Sequence, residues 1–492
     1  MTLKSNTSTC LAIDMGAGSV RIMLGTLSDN NIKYEEIHRV TNEIVQFNGH
    51  ERWDIDTLFK NIREGIQKAL IIADPVPSSA GVDSWGVDYV LLDKNGMLIV
   101  MPVAYRDKRT EGMMEKWKAE LSEFETFKRT GINFYIFNTL FQLLSQKGSA
   151  HLEKTQQILF IPSYINYLLS GKKANEQTIS STSQMLHING KEWDKLILDK
   201  LGLDDKLLNP IVLPGEKLGK VKPEVAPRAS LENIAVGCHD TACVVASIPA
   251  KTKNFAYLSA GTWCIVGIES DQALITEEAF QEGFTNERGY GNTFRILKNI
   301  VGLWIIQGLK RSLAENITYA EMEKMTESGS DPVQYINPED PLFYNPDDMQ
   351  EAFKLFFAKT DQPQPDKNED YIKIAYDSLC FSFKYYIERL EQLSHNKLDT
   401  IHVIGGGSQS DYLNQRIATI CRKEVISGPV EGATLGNIMI QGISMGYIKN
   451  IEEGRKMIGN SYPGTRYKPG EENKGLTTRY ADYLKSKTSS LS

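Results

Sequence analysis

Three short glycine-rich stretches stand directly after apolar runs in this sequence: Asp14-Met15-Gly16-Ala17-Gly18-Ser19-Val20-Arg21, Ser259-Ala260-Gly261-Thr262 and Gly405-Gly406-Gly407. Small residues at a strand end let several backbone N–H groups converge on an anion, because no Cβ holds the ligand away. Phosphate is the anion such loops commonly cradle. The first stretch also carries a carboxylate, Asp14, and a guanidinium, Arg21. A carboxylate facing phosphates suits magnesium, held largely through water because Mg2+ keeps part of its hydration shell. A fourth stretch, Gly237-Cys238-His239-Asp240-Thr241, sets an imidazole beside a carboxylate after the apolar run 234–237. Such a pair can accept a hydroxyl proton and bind the oxygen that carried it. The same Asp can equally cap a helix over 241–247.

Familiar phosphate and cofactor motifs fail on single residues. A P-loop requires Gly-Lys-Ser/Thr, and Gly171-Lys172-Lys173 and Gly219-Lys220-Val221 lack the hydroxyl. The dinucleotide fingerprint fails because Arg21 occupies the place of its third glycine. Tyr105-Arg106-Asp107 echoes the protein-kinase catalytic loop, but neither its Asn nor a later DFG follows. What remains is an ATP site built from β-hairpins.

The elements around these loops alternate strand and helix. Apolar runs at 11–14, 21–27 and 32–40, with a turn at 29–31, read as a meander. Asp54 stands before apolar residues at helical spacing, Ile55, Leu58, Phe59, Ile62, Ile66 and Leu70, and predicts a helix to about Ala73. Residues 80–92 read as one strand with a turn at 94–96. Residues 110–210 read as mainly helical, as do 300–395 with breaks at 337–348 and 362–366, and Asn299 and Gln307 then fall near one helix face. A strand over 400–404 leads into the third glycine stretch. Mixed units in both halves argue for an α/β protein. The runs 12–18 and 257–262 are each strand, small-residue turn, strand, which suggests two related lobes with a boundary near 247–253.

Composition limits the partners. The 492 residues are 41% hydrophobic and 24% charged, which fits two or three globular domains and excludes a disordered chain. Fifty-five basic against 62 acidic residues give a net charge of −7, which disfavours nucleic acid as a partner. Six cysteines without a CxxC pair point to reduced thiols rather than a zinc site. The N-terminus, with its single Lys4, lacks a secretory signal pattern, and the densest apolar run, 300–309, is half a membrane span. The expectation is a soluble cytoplasmic protein.

The first glycine stretch resembles the phosphate hairpin of the actin-like ATPase superfamily. Within it, Ala104-Tyr105-Arg106-Asp107-Lys108-Arg109-Thr110, Gly237-Cys238-His239-Asp240-Thr241-Ala242, Ser259-Ala260-Gly261-Thr262-Trp263 and Ile404-Gly405-Gly406-Gly407 resemble the FGGY carbohydrate kinases. Asp83-Ser84-Trp85-Gly86-Val87-Asp88, residues 297–304, and Gly428-Pro429-Val430-Glu431 with Leu435-Gly436-Asn437 are similar to the rhamnulokinase branch of that family. The resemblance spans about residues 10–445 in the family's order. Gly18 departs from it, standing where that branch usually has Ser.

That resemblance implies two ribonuclease H-like lobes with an active-site cleft between them, residues 1–248 binding sugar and supplying the base and residues 249–492 binding nucleotide. It implies Asp240 as catalytic base and Gly86, His239, Asp240, Thr241 and Asn299 as sugar contacts. Ala17, Gly18, Ser19, Val20, Arg21, Thr262, Gln307 and Gly406 would contact ATP, and Asp14 would hold Mg2+ through water. Asp107 and Arg109 are read as a supporting ion pair. The implied reaction is ATP-dependent phosphorylation of L-rhamnulose at its 1-hydroxyl, in L-rhamnose catabolism, by a monomer or homodimer without nucleic-acid or membrane partners. Alternatives are another sugar kinase of this family, for xylulose, fuculose or glycerol, and a non-enzymatic actin-like ATP-binding protein. A dehydrogenase would need a nicotinamide site.

Overall fold

Successive residues of strand Ser8–Met15 point to opposite faces of a sheet, and both faces are covered. Leu11, Ile13 and Met15 pack with Ile55, Leu58, Ile62, Ile66 and Ala69 of helix Ile55–Ile72. Cys10 and Ala12 pack on the other face with Cys243, Ala246, Leu435 and Ile438. Enclosure of each fully buried Ile contributes about 1.5–3 kcal/mol. Asp54 caps the first helix as its spacing predicts, its carboxylate accepting from the Thr57 N–H at 3.1 Å. The computed structural model describes residues 7–28, 30–208, 210–227, 229–313, 317–327, 332–471 and 473–489. Lys4 and Asp29, used in the sequence reading, lie outside the described residues.

The chain divides into two units. The first comprises Met1–Pro249, Glu269–Ile296 and Glu431–Pro463, and the second Ala250–Ile268, Leu297–Val430 and Gly464–Ser492. Each contains a mixed sheet flanked by helices, the α/β architecture the sequence implies. In the first unit the strand order is Lys217–Lys220, Glu232–Ile234, Ser79–Ser84, Ser8–Met15, Ser19–Ser28, Asn31–Thr41. The central three run parallel, and the Ser8–Met15, Ser19–Ser28 and Asn31–Thr41 meander is antiparallel. The parallel strands end at one edge. There Asp14 stands opposite Asp83 in register, and Ser84 bridges His239. Ligands of open α/β sheets gather at such carboxyl ends.

Helix Gly432–Ser444 lies across helix Asp240–Ser247 in this unit, and Gly436 permits the approach. A Cβ at Gly436 would fall 1.9 Å from the Cys243 carbonyl oxygen. No side chain fits there, so the glycine holds the helix that begins with Asp240 against its neighbour.

The single strand read over 80–92 is broken in two. Ser79–Ser84 belongs to the six-stranded sheet, whereas Tyr89–Leu92 pairs with Gln157–Phe160 in a separate one. The break is made by Asp88, whose buried carboxylate accepts from the indole N–H of Trp53 at 2.7 Å, that of Trp85 at 3.0 Å and the Tyr105 N–H at 3.2 Å. Such a buried acceptor collects donors from several directions, which a turn permits and a ladder does not.

In the second, seven-stranded sheet Thr285–Arg288, Phe294–Val301, Trp263–Ser270, Phe255–Ala260, Thr400–Ile404, Glu424–Ser427 and Thr465–Tyr467 are neighbours in that order. The 27-residue helix Asn368–Ser394 is buried along much of its length. Asn299 lies in strand Phe294–Val301, and Gln307 lies in helix Trp304–Leu313. The helix face proposed to carry both does not exist, because the chain stays extended through the β-branched pair Ile300-Val301 and turns only at Gly302. Among the described residues no helix is long and apolar enough to cross a membrane. All six cysteines are free and buried.

Candidate active site

Gly86, His239, Asp240 and Thr241 come together in the first unit. A Cβ at Gly86 would stand 3.4 Å from His239 Nε2 and 3.4 Å from the Thr182 side chain, so its absence leaves room beside the imidazole. Asp240 opens helix Asp240–Ser247, and its Oδ1 accepts from the Thr241 N–H at 2.5 Å and hydroxyl at 2.9 Å. Asp240 is therefore the first residue of the helix rather than its cap, a place His239 takes without a side-chain hydrogen bond, and the Asp240 side chain is 33% exposed. His239 Nε2 lies 3.6 Å from Asp240 Oδ1, and the His239 N–H donates to Thr178 Oγ1 at 3.1 Å. Glu176 steadies this segment by accepting from the Thr178 hydroxyl and N–H, the Ile179 N–H and, at 3.2 Å, the Cys238 N–H. Burial pushes the Glu176 carboxyl up to about 7 despite those donors.

Acidic groups crowd the same sheet edge. Burial pushes Asp14 above the usual carboxylate range; Arg21 opposes that, and the charges of Asp240 and Glu431 reinforce it. Burial and the neighbouring Asp14 carry Asp83 well above that range, against a 2.6 Å hydrogen bond donated by the Asn437 amide. Arg21 is shared: it lies 2.5 Å from Asp14 Oδ2 and 2.7 Å from Glu431 Oε2. Thr434 also donates to Asp14 at 3.2 Å. Negative charge exceeds positive here, and a carboxylate donor set of that kind fits a hard divalent cation. Among the described residues no three His, Cys, Asp or Glu side chains are placed to hold a metal ion by themselves.

The hairpin between Ser8–Met15 and Ser19–Ser28 carries Ala17, Gly18, Ser19 and Val20. Asn42 ties it down, its N–H donating to the Gly18 carbonyl and its side-chain amide to that of Gly16, both at 3.1 Å. Gly18 is exposed, and a Cβ there would meet nothing within 4 Å.

Three loops of the second unit converge on the end of strand Phe255–Ala260. The Leu303 N–H donates to the Gly261 carbonyl at 2.9 Å, and those of Gly302 and Trp304 donate to the Thr262 carbonyl at 3.2 Å. Thr262 Oγ1 meets the Gln307 amide at 3.3–3.4 Å. Gly407 packs so closely that its Cβ would lie 2.5 Å from that of Ala260, which brings Gly406 to the same place. Gly406 is exposed with open space before it. Asn299 also belongs to the second unit, near the end of strand Phe294–Val301.

Sequence reasoning missed the residues that arrive from afar. Glu287 and Arg295 stand against His239, with Glu287 Oε2 3.1 Å from Nδ1. Burial alone would raise Glu287, but it is held down at about 2, above all by the charge of Arg295. A charged residue inside the apolar run 294–301 was the available signal. The expected Asp107–Arg109 ion pair takes another form. Asp107 meets His50 at 3.1 Å and accepts from the Arg109 backbone N–H at 3.0 Å, while the Arg109 guanidinium reaches Gln142 at 2.5 Å.

The fold is that of sugar kinases of known structure. It matches a gluconate kinase from Lactobacillus acidophilus with a TM-score of 0.82 at 15% identity, covering 98% of each chain. It matches the Plasmodium falciparum glycerol kinase with ADP at 0.82 and 14% identity, covering 99% of each. The N-terminal domain of the FGGY family of carbohydrate kinases matches residues 9–245, and its C-terminal domain matches residues 256–445. The chain belongs to the FGGY family of carbohydrate kinases and is an enzyme that phosphorylates a sugar, with ATP as the family's phosphoryl donor. It is 37% identical over 463 residues to a rhamnulokinase of Bacteroides thetaiotaomicron, covering 93% of this chain and 95% of that protein. It is 36% identical over 455 residues to a rhamnulokinase of Bacillus subtilis, covering 92% and 93%.

Proposed function

We propose that this chain transfers the γ-phosphoryl group of ATP to the 1-hydroxyl of L-rhamnulose, giving L-rhamnulose 1-phosphate and ADP. The observation that carries the reading is the partly exposed Asp240 carboxylate beside His239 at the gap left by Gly86. The sugar is taken from relatives at 35–38% identity that bear the name rhamnulokinase. Asp240 accepts the proton of the 1-hydroxyl, whose oxygen then bonds to the γ-phosphorus as the bond to the β–γ bridging oxygen breaks. Thr241 holds Asp240 in place, and His239, Thr241, Asn299 and the backbone at Gly86 contact the sugar.

Two regions receive ATP in this reading: the hairpin residues Ala17, Gly18, Ser19, Val20 and Arg21 of the first unit, and Thr262, Gln307 and Gly406 of the second. Loop N–H groups and Arg21 meet the phosphates, so a net charge of −7 does not oppose binding. Asp14 would hold Mg2+ through water, and the ion would neutralise phosphate charge. The reaction is assigned to the cytoplasm, where ATP and reduced thiols coexist.

A kinase assay with ATP against L-rhamnulose, xylulose, fuculose and glycerol tests the reading, the product being located by 31P–1H NMR. Rhamnulose is expected to give the highest kcat/KM and a 1-phosphate. Equal use of the four substrates would remove the narrow claim and leave a broader sugar kinase.

A further inference from the structure

His239 touches two enclosed charges that the reaction above leaves without a role. Arg295 has no exposed side-chain surface, and Glu287 has only 12%. Nη2 of Arg295 lies 2.8 Å from Glu287 Oε2 and 3.0 Å from His239 Nδ1. Nε of the same guanidinium donates to the Arg288 carbonyl at 3.0 Å, which fixes its plane. Burying two ions costs several kcal/mol each before their attraction is counted, so an apolar pair would commonly be as stable. The pair is instead placed to control one atom, Nδ1.

The chemistry of that atom follows from its neighbours. A guanidinium has five N–H donors and no acceptor, and it does not lose its proton. Of the two close contacts of Nη2 the one to Nδ1 has hydrogen-bond geometry, whereas Glu287 Oε2 makes a charge contact without a hydrogen bond, so Nδ1 accepts and the ring proton resides on Nε2. Nε2 is the nitrogen beside the Gly86 gap, 3.6 Å from the base Asp240. A carboxylate acting alone at Nδ1 would favour the opposite tautomer. Glu287 acts here mainly as the counter-charge that anchors Arg295.

We infer that Arg295, anchored by Glu287, is a positioning residue that fixes His239 with its proton on Nε2, so that the imidazole donates a hydrogen bond to a sugar oxygen adjoining the hydroxyl that Asp240 deprotonates. The role rests on the sugar-kinase reading given above, whereas the tautomer itself does not.

The test uses the full-length enzyme labelled with 15N-histidine. Seven histidines give a tractable spectrum, and the His239 signals are assigned by their loss in His239→Gln. Long-range 15N–1H correlations are expected to show the Nε2–H form in the wild type. The double variant Glu287→Gln/Arg295→Met removes both charges and leaves neither unpaired. It should convert His239 to a mixture of tautomers and raise KM for the sugar about 10-fold, the size of one lost hydrogen bond, with KM for ATP within about 2-fold. Arg295→Lys, which keeps the charge and a donor, should restore much of the Nε2–H population. A wild-type proton on Nδ1, or a double variant with an unchanged His239 spectrum, overturns the inference. Equal rises in both KM values would mark the pair as structural and overturn it too. Failure of the wild type to phosphorylate any sugar would strike the functional reading while the spectrum still decides the tautomer.

Discussion

Asp377, within helix Asn368–Ser394 of the second unit, is fully enclosed and meets two guanidinium groups, Arg416 Nε at 2.9 Å and Arg479 Nη1 at 2.5 Å. Asp14 and Asp83 of the first unit are also buried and stand opposite each other in register, but Asp83 meets the Asn437 amide rather than a guanidinium, and Asp14 shares Arg21 with Glu431. One buried acid is over-supplied with positive charge and the other group is under-supplied. An over-supplied acid ties elements together and asks nothing of a ligand. An under-supplied cluster is kept where a proton or a cation is handled, since matching every charge would be simpler for stability. The second-unit loops proposed to receive nucleotide form a third case, for Thr262, Gln307 and Gly406 carry no charge and offer only N–H, hydroxyl and amide groups.

Removing Asp377, and separately Asp240, whose charge acts on Asp14 and Asp83, is the strongest way to break this contrast. Asp240→Asn is expected to lower kcat about 10³-fold, within the 10²–10⁴-fold usual for a general base, while ATP affinity by calorimetry stays unchanged. Asp377→Asn should do the reverse, lowering unfolding free energy by about 3–5 kcal/mol because two guanidinium groups lose their partner. Its kcat, measured on folded enzyme, should remain near wild type. Turnover preserved in Asp240→Asn would dismiss that residue as base. Turnover lost in folded Asp377→Asn would end the distinction between structural and chemical acids.

Much of this contrast was readable along the chain because its signals are local. The 14–21 hairpin, the His239-Asp240 pair after an apolar strand and the Asp54-capped helix each declare themselves within ten or twenty residues. Glu431, Glu287 and Arg295 were not readable as site residues, because they reach Arg21 and His239 from segments hundreds or tens of residues away. Asn299 was placed on a helix because a short apolar run does not distinguish the two periods. Asp88 broke a predicted strand because a buried acceptor outweighed an otherwise continuous apolar pattern.

Titration offers a second, smaller test, at Glu176 behind the His239 segment. Burial raises its carboxyl from 4.5 to about 7. A raised folded-state value favours the protonated form, so this group's stabilisation is whole below pH 4.5 and is lost as pH rises through 7. The interval corresponds to about 3 kcal/mol as an upper bound. Asp88, raised by burial to about 6, acts in the same direction from pH 3.8 upward. Urea midpoints of the wild type should therefore fall between pH 4.5 and 8, and those of Glu176→Gln should fall less. Because the donors to Glu176 include the Cys238 N–H, hydrogen exchange should locate the loss around residues 176–179 and 238. Parallel pH curves for the two proteins would show that the carboxylate is matched in a way its four donors do not reveal.

The finest test asks whether the two open glycine loops serve one ligand. A Cβ at Gly18 or at Gly406 meets nothing within 4 Å, and neither residue has a left-handed φ. Alanine at either position therefore costs the fold nothing by contact, and restricting the unfolded chain can stabilise it by about 0.4–1 kcal/mol. Any functional effect then reports a ligand that approaches the backbone. Gly18→Ala and Gly406→Ala are each expected to leave the melting temperature unchanged or slightly raised, to increase KM for ATP about 3–10-fold, and to leave KM for the sugar alone, a loss of about one weak hydrogen bond apiece. Gly18 is the more informative, because its hairpin also carries Asp14 and Arg21, the charged end of the contrast. If Gly18→Ala moved the sugar KM and Gly406→Ala the ATP KM, the first hairpin would belong to the acceptor sugar rather than to the phosphates, and the two loops, alike in backbone, would divide the substrates between them.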